Sequence, residues 1–100
     1  MRTLLFLLIL FIFNYSAAQD RIIKVIVIGA HPDDADVMTG GIAIKYAKMG
    51  HKVLFVSCTN GDAGHFSMGG GTLAKVRAAE AQEAAKRFGV SYKVLPNHDG

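Results

Sequence analysis

Four residues near the start of the chain, His31-Pro32-Asp33-Asp34, set an imidazole beside two carboxylates, and Asp36 adds a third acid just beyond. Histidine nitrogen and carboxylate oxygen are ligand types of catalytic zinc sites, which keep three protein ligands and leave a position for water. A His and an Asp three residues apart, at the exit of a strand and the entry of a helix, can turn toward one point. His31 and Asp34 are therefore the candidate ligands for Zn2+, or for another divalent metal with the same preferences. Asp33 stands beside them without having to bind. A carboxylate in that place suits a general base acting on water that the metal activates. The competing explanation is that Asp34 or Asp36 caps the helix, where acids are favoured. Capping uses one carboxylate and leaves His31 and the other acids without a reason, so Asp36 alone is assigned to the helix start.

The elements that must hold this cluster follow from hydrophobic patterning. Ile22 to Ile28 is β-branched and almost continuously apolar, the pattern of a strand buried on both faces. A helix follows, beginning between Asp36 and Thr39, with Ile42, Tyr46 and Met49 as its apolar markers and Gly50 as its stop. Gly40-Gly41 weakens that helix, which makes sense where its backbone approaches the first strand closely. Lys52 to Cys58 forms a second buried strand, with Cys58 as a small buried hydrophobe. A glycine-rich loop, Thr59 to Gly71, leads to a second helix capped by Thr72, marked by Leu73, Val76, Ala84 and Phe88, and ended by Gly89. Tyr92 to Leu95 is a short third strand.

The fold class is α/β: a Rossmann-like open parallel sheet with helices on its faces, of which β-α-β-α-β is an incomplete portion. In such a sheet the loops after all three strands open on one edge, where ligands of open α/β sheets bind. His65 and His98 fall on that edge as polar loop residues; His51 falls on the other.

Residues 1–18 have the three parts of a secretory signal peptide: Met1-Arg2, the apolar run Leu4 to Phe13, and small residues around Ala17. The run is too short for a bilayer-spanning helix of roughly 20 residues. No cysteine marks a lipid-attachment point, so export to the periplasm or the exterior is expected, with no stable membrane anchor after cleavage. Loss of Arg2 with the leader lowers the formal charge from +3 to about +2. The lysines are scattered rather than clustered, which gives nucleic acid no patch to bind. Cys58 is the single cysteine, so no internal disulfide forms.

The Ala30-His31-Pro32-Asp33-Asp34 run after the first strand resembles the signature of the LmbE-like, or PIG-L-like, zinc de-N-acetylases. The resemblance continues in order through Gly40-Gly41, Thr59-Asn60-Gly61-Asp62-Ala63-Gly64, Arg77 with Glu80, and Leu95-Pro96 before Asp99-Gly100. It implies a hydrolase removing an acetyl group from an N-acetylglucosaminyl compound, a small molecule or glycan, with His31 and Asp34 on zinc and Asp33 as the general base. It places Arg77 and Asp99 at positions that contact the substrate. Arg77 also lies near a helix N-terminus, where a cation is disfavoured by the dipole, although an i,i+3 pair with Glu80 is an ordinary alternative. The resemblance further implies a third ligand, a histidine from a later motif beyond residue 100, so residues 19–100 are expected to be the N-terminal part of the domain.

Two other functions compete. A non-catalytic carbohydrate-binding module on the same fold would keep the sheet and loops without the third ligand. A nucleotide-binding module would need a glycine fingerprint directly after the first strand, and the loop Gly61 to Gly71 stands elsewhere.

Overall fold

Strand β1 spans Lys24–Gly29, helix α1 Asp34–Lys48, strand β2 Lys52–Ser57, helix α2 Gly70–Phe88 and strand β3 Ser91–Val94. The computed structural model describes residues 21–100 together with Met1, Leu4 and Leu7; the expected signal peptide otherwise lies outside the described residues. The strands form one parallel sheet in the order β1-β2-β3. Val25 pairs with Val53 and Phe55 with Tyr92. This is the expected α/β arrangement, and each strand lies within two residues of its expected span.

The core lies between the sheet and the two helices. Val53 and Phe55 of β2 and Tyr92 of β3 pack against Ala35 and Ala43 of α1 and Ala81 and Ala85 of α2. Phe55 is fully buried and meets the rings of Phe88 and Tyr92 edge-on. Both helices cover the same face, as follows when two successive right-handed crossovers step in one direction across a sheet.

That geometry corrects several expectations. β1 is not buried on both faces: Ile26 and Ile28 are more than half exposed, because among the described residues no element covers their side of the sheet. Cys58 is exposed rather than buried. Strand alternation places it with Leu54 and Val56, on the uncovered side. Of the expected apolar markers of α1 only Tyr46 packs against the core; Ile42 and Met49 are exposed, and Ala35, Gly40 and Ala43 are buried. Small residues let α1 lie close, and a Cβ at Gly40 would come within 3.1 Å of the Phe88 ring. Gly40 thus makes room for α2 rather than for β1, while Gly41 faces open space.

Helix ends also differ. α1 begins at Asp34, earlier than expected, with Asp33 at the N-cap. α2 begins at Gly70 after Gly69, so Thr72 sits inside the first turn and does not cap it. Gly89, with φ of 72°, ends α2 as expected. Because Phe55 anchors both helices to the central strand, Phe55→Ala in the full-length protein is expected to cost about 3–5 kcal/mol. Lys75→Ala on the exposed side of α2 should change stability by about 0.5 kcal/mol or less. Urea unfolding of the two variants checks the contrast.

Candidate active site

The ladder between the strands continues beyond their ends. Cys58 and Thr59 donate backbone N–H groups to the carbonyls of Gly29 and Ala30. Leu95 N–H reaches Ser57 O, and Asn60 N–H reaches Asn97 O. Side chains complete the stitching: Thr59 Oγ1 donates to Ala30 O, and Asn97 Nδ2 donates to Cys58 O. The three loops after β1, β2 and β3 are thereby held side by side at one edge of the sheet.

An open polar cleft of about 340 Å³ lies there, lined by His31, Asp33, Asp34, Gly61, Ala63, Gly64, Arg77 and Asp99. All five residues singled out by sequence therefore meet in one place. His31 Nδ1 lies 3.6 Å from Asp34 Oδ2, and the other ring nitrogen, Nε2, lies 2.9 Å from Asp99 Oδ1. Asp34 Oδ2 also accepts the backbone N–H of His31 at 2.8 Å. That bond is the largest reason the Asp34 carboxyl is held below its ordinary range, and burial opposes it.

Asp33 is half exposed to the cleft, and its Oδ2 lies 3.0 Å from Arg77 Nη2. The guanidinium thus goes to Asp33 on the neighbouring loop rather than to Glu80 on its own helix. Three carboxylates, Asp33, Asp34 and Asp99, face one guanidinium around this cleft, a balance that favours a bound cation.

Two glycines allow the close approach. A Cβ on Gly29 would lie 2.6 Å from Cβ of Asp34, so any larger residue at the end of β1 drives Asp34 out of place. Gly61 has φ of 65°, and a Cβ there would lie 2.8 Å from Pro32 and 3.4 Å from Arg77 Nε.

The donor set fits a divalent metal. Zinc binds His nitrogen and carboxylate oxygen at about 2.0–2.2 Å, so two ligands of a tetrahedral ion lie roughly 3.3 Å from each other. The Nδ1–Oδ2 separation of 3.6 Å is close to that value. Among the described residues no group of three or more His, Cys, Asp or Glu side chains is placed to hold a metal, so His31 and Asp34 form a pair and not a full set.

His65 stacks on Phe66 and accepts the N–H of Ser67, away from the cleft lining. His51 packs beside Tyr46 at the opposite edge, as expected. His98 hydrogen-bonds through Nδ1 to Asp62.

Asp62 is the residue whose role the sequence did not disclose. It is buried, and its Oδ1 accepts the backbone N–H of Asp99 at 2.9 Å while its Oδ2 meets His98. Its own carbonyl accepts the N–H of Gly70 at the start of α2. The signal available was its place in the loop after β2, on the same edge as Asp33.

Asp36 of α1 and Tyr92 of β3 add polar groups outside the cleft lining. Burial raises the Asp36 carboxyl, with Tyr92 partly opposing the rise, and burial likewise raises the Tyr92 phenol. Asp36 Oδ1, Tyr92 Oη and Arg77 Nε are buried without a hydrogen-bond partner among the described residues.

The Asp62 carboxyl is held below its ordinary range, first by the Asp99 N–H and then by His98. A depressed folded-state value stabilises the fold above the unfolded value, near pH 3.9. That contribution is lost as the pH falls through the lower folded value. Asp62→Asn is therefore expected to flatten the acid limb of stability below about pH 4. Urea midpoints of both proteins between neutral and acidic pH test this, and unchanged acid limbs would contradict the anchoring role.

The profile of the GlcNAc-PI de-N-acetylase (PIG-L) family matches residues 26–100. A 1D-myo-inositol 2-acetamido-2-deoxy-alpha-D-glucopyranoside deacetylase of Corynebacterium jeikeium is 34% identical over 91 residues, covering 77% of this chain and 27% of the relative. Among solved structures, N,N'-diacetylchitobiose deacetylase from Pyrococcus horikoshii superposes with a TM-score of 0.68 at 35% identity, over 76% of this chain and 30% of that one. The 4-carboxy-2-hydroxymuconate hydratase of Pseudomonas putida superposes with a TM-score of 0.67 at 24% identity, which shows the fold alone. The chain thus spans less than a third of the length of the two deacetylases.

Proposed function

The chain belongs to the GlcNAc-PI de-N-acetylase (PIG-L) family, and from that premise we propose that the full-length protein is a metal-dependent hydrolase removing an N-acetyl group from a glucosaminyl-type compound. The observation that carries this reading is the convergence of His31, Asp33 and Asp34 in one polar cleft at the loop edge of the sheet. The deacetylases it resembles act on a GlcNAc-inositol and on diacetylchitobiose, so a small N-acetylated sugar compound is the substrate class we assign.

His31 and Asp34 would hold the metal, with a further ligand supplied by the protein beyond residue 100. A bound zinc supplies Lewis acidity, polarising the acetyl carbonyl and easing the ionisation of water. Asp33 is the group placed to move protons. Its carboxylate takes the proton of the attacking water as the new C–O bond forms at the acetyl carbon. It then returns that proton to the amine nitrogen as the C–N bond breaks, leaving the free amine and acetic acid, which gives up its proton to become acetate. Arg77, 3.0 Å away, fixes the orientation of Asp33. The same guanidinium faces the cleft and is the group we assign to a substrate oxygen. Export through residues 1–18 would place this activity outside the cytoplasm, toward an extracytoplasmic glycoconjugate.

The test is metal analysis and amine release by the full-length protein on N-acetylglucosaminyl compounds. Asp33→Asn should retain the metal while turnover falls by about 10²–10⁴-fold. Full-length protein that binds no divalent metal would refute the mechanism. Sugar binding without acetate release would instead identify a carbohydrate-binding module.

A further inference from the structure

Resting on the metal reading of His31, the structure also bears on which ring nitrogen is available and on what holds the ring. Nε2 faces the carboxylate of Asp99 at 2.9 Å, and Nδ1 faces Asp34 at 3.6 Å. A carboxylate only accepts hydrogen bonds, so the neutral ring must carry its proton on Nε2 to make the shorter contact. The lone pair then sits on Nδ1, directed to the side of Asp34. Histidine ligands are commonly oriented this way, with the far N–H given to a carboxylate.

Asp99 is itself held. The Asp99 side chain is four-fifths buried. Its backbone N–H donates to Asp62 Oδ1, and Asp62 is buried and tied through its carbonyl to the first residue of α2. Asn60 N–H to Asn97 O adds a second tie between the same two loops. The path runs from the start of α2, through Asp62 and Asp99, to the imidazole.

We infer that Asp99 is a positioning residue that fixes His31 in the tautomer leaving Nδ1 for the metal, and that Asp62 is the anchor holding Asp99 in place. This differs from the role at Asp99 that the family resemblance implied, a contact to substrate. The two roles separate experimentally, because a substrate contact has no reason to alter an empty site.

The experiment uses full-length protein labelled with 15N and freed of metal. Long-range 1H–15N spectra then report which nitrogen of His31 carries the proton, and zinc affinity is measured in parallel. The wild-type ring is expected to carry the proton on Nε2. Asp99→Ala should mix the tautomers and weaken zinc binding by about 10–100-fold. Asp99→Asn, which still offers an accepting oxygen, should keep the Nε2–H tautomer and lose less affinity. Asp62→Ala should move both readouts in the direction of Asp99→Ala although it touches neither His31 nor the metal.

A proton on Nδ1 in the wild type overturns the inference without any variant. So does an Asp99→Ala protein whose tautomer and zinc affinity are unchanged while KM rises, the signature of a substrate contact. Wild-type protein that takes up no zinc defeats the metal reading instead, and the metal-free spectra still decide what Asp99 does to His31.

Discussion

The site depends on hydrogen bonds that run past the ends of the strands. Parallel pairing brings three strand ends to one edge, but it does not fix the loops that follow. Here the pairing continues through Cys58 and Thr59 to the carbonyls of β1's end and Ala30, and through Leu95 to Ser57. Asn60 N–H then donates to Asn97 O, and Asn97 Nδ2 donates to Cys58 O, across the second and third loops. Residues 31, 62 and 99, distant in sequence, are thereby held within hydrogen-bond reach, directly or through one another. The core beneath, centred on Phe55, keeps the three strands in register while the loops carry the polar groups.

Electrostatics then limits what the cleft can be. Three carboxylates crowd one edge, and each has a different partner. Asp34 is held by a backbone N–H, Asp33 by Arg77, and Asp99 by His31. Like charges this close are tolerated when each is paired or hydrogen-bonded, or when a cation joins them. The arrangement divides the three acids: Asp34 faces Nδ1 of the imidazole, Asp99 faces Nε2, and Asp33 stands exposed beside a guanidinium. That division is more informative than the overall likeness, since a hydratase shares the sheet and fold alone does not choose a reaction.

Much of this was legible in the chain. β-branched runs announced the strands, and the polar residues after the first announced His31, Asp33 and Asp34; Arg77, inside a helix, and Asp99 were marked only by the family resemblance. Burial was harder to see. Ile42 and Met49 look like a helix's inner face, yet Ala35, Gly40 and Ala43 occupy it, because close packing against Phe88 selects small residues over greasy ones. Ile26 and Ile28 look doubly buried, and their second face has no cover among the described residues. Asp62 was invisible as an anchor for another reason. Its partners are the backbone N–H of Asp99 and the ring of His98, 37 and 36 residues away, and a helix start, and contacts across such separations leave no mark in local spacing.

The central claim is that Nδ1 of His31 and the carboxylate of Asp34 together face a metal. Its most direct test is a crystal structure of the full-length protein with zinc, located by anomalous scattering at the zinc edge. The expected result is an ion bound by Nδ1 and an Asp34 oxygen at about 2.0–2.2 Å, with Asp99 still on Nε2 and Asp33 beside the ion but free of it. Zinc on Nε2 with Asp99 displaced, or zinc away from this pair, would contradict it.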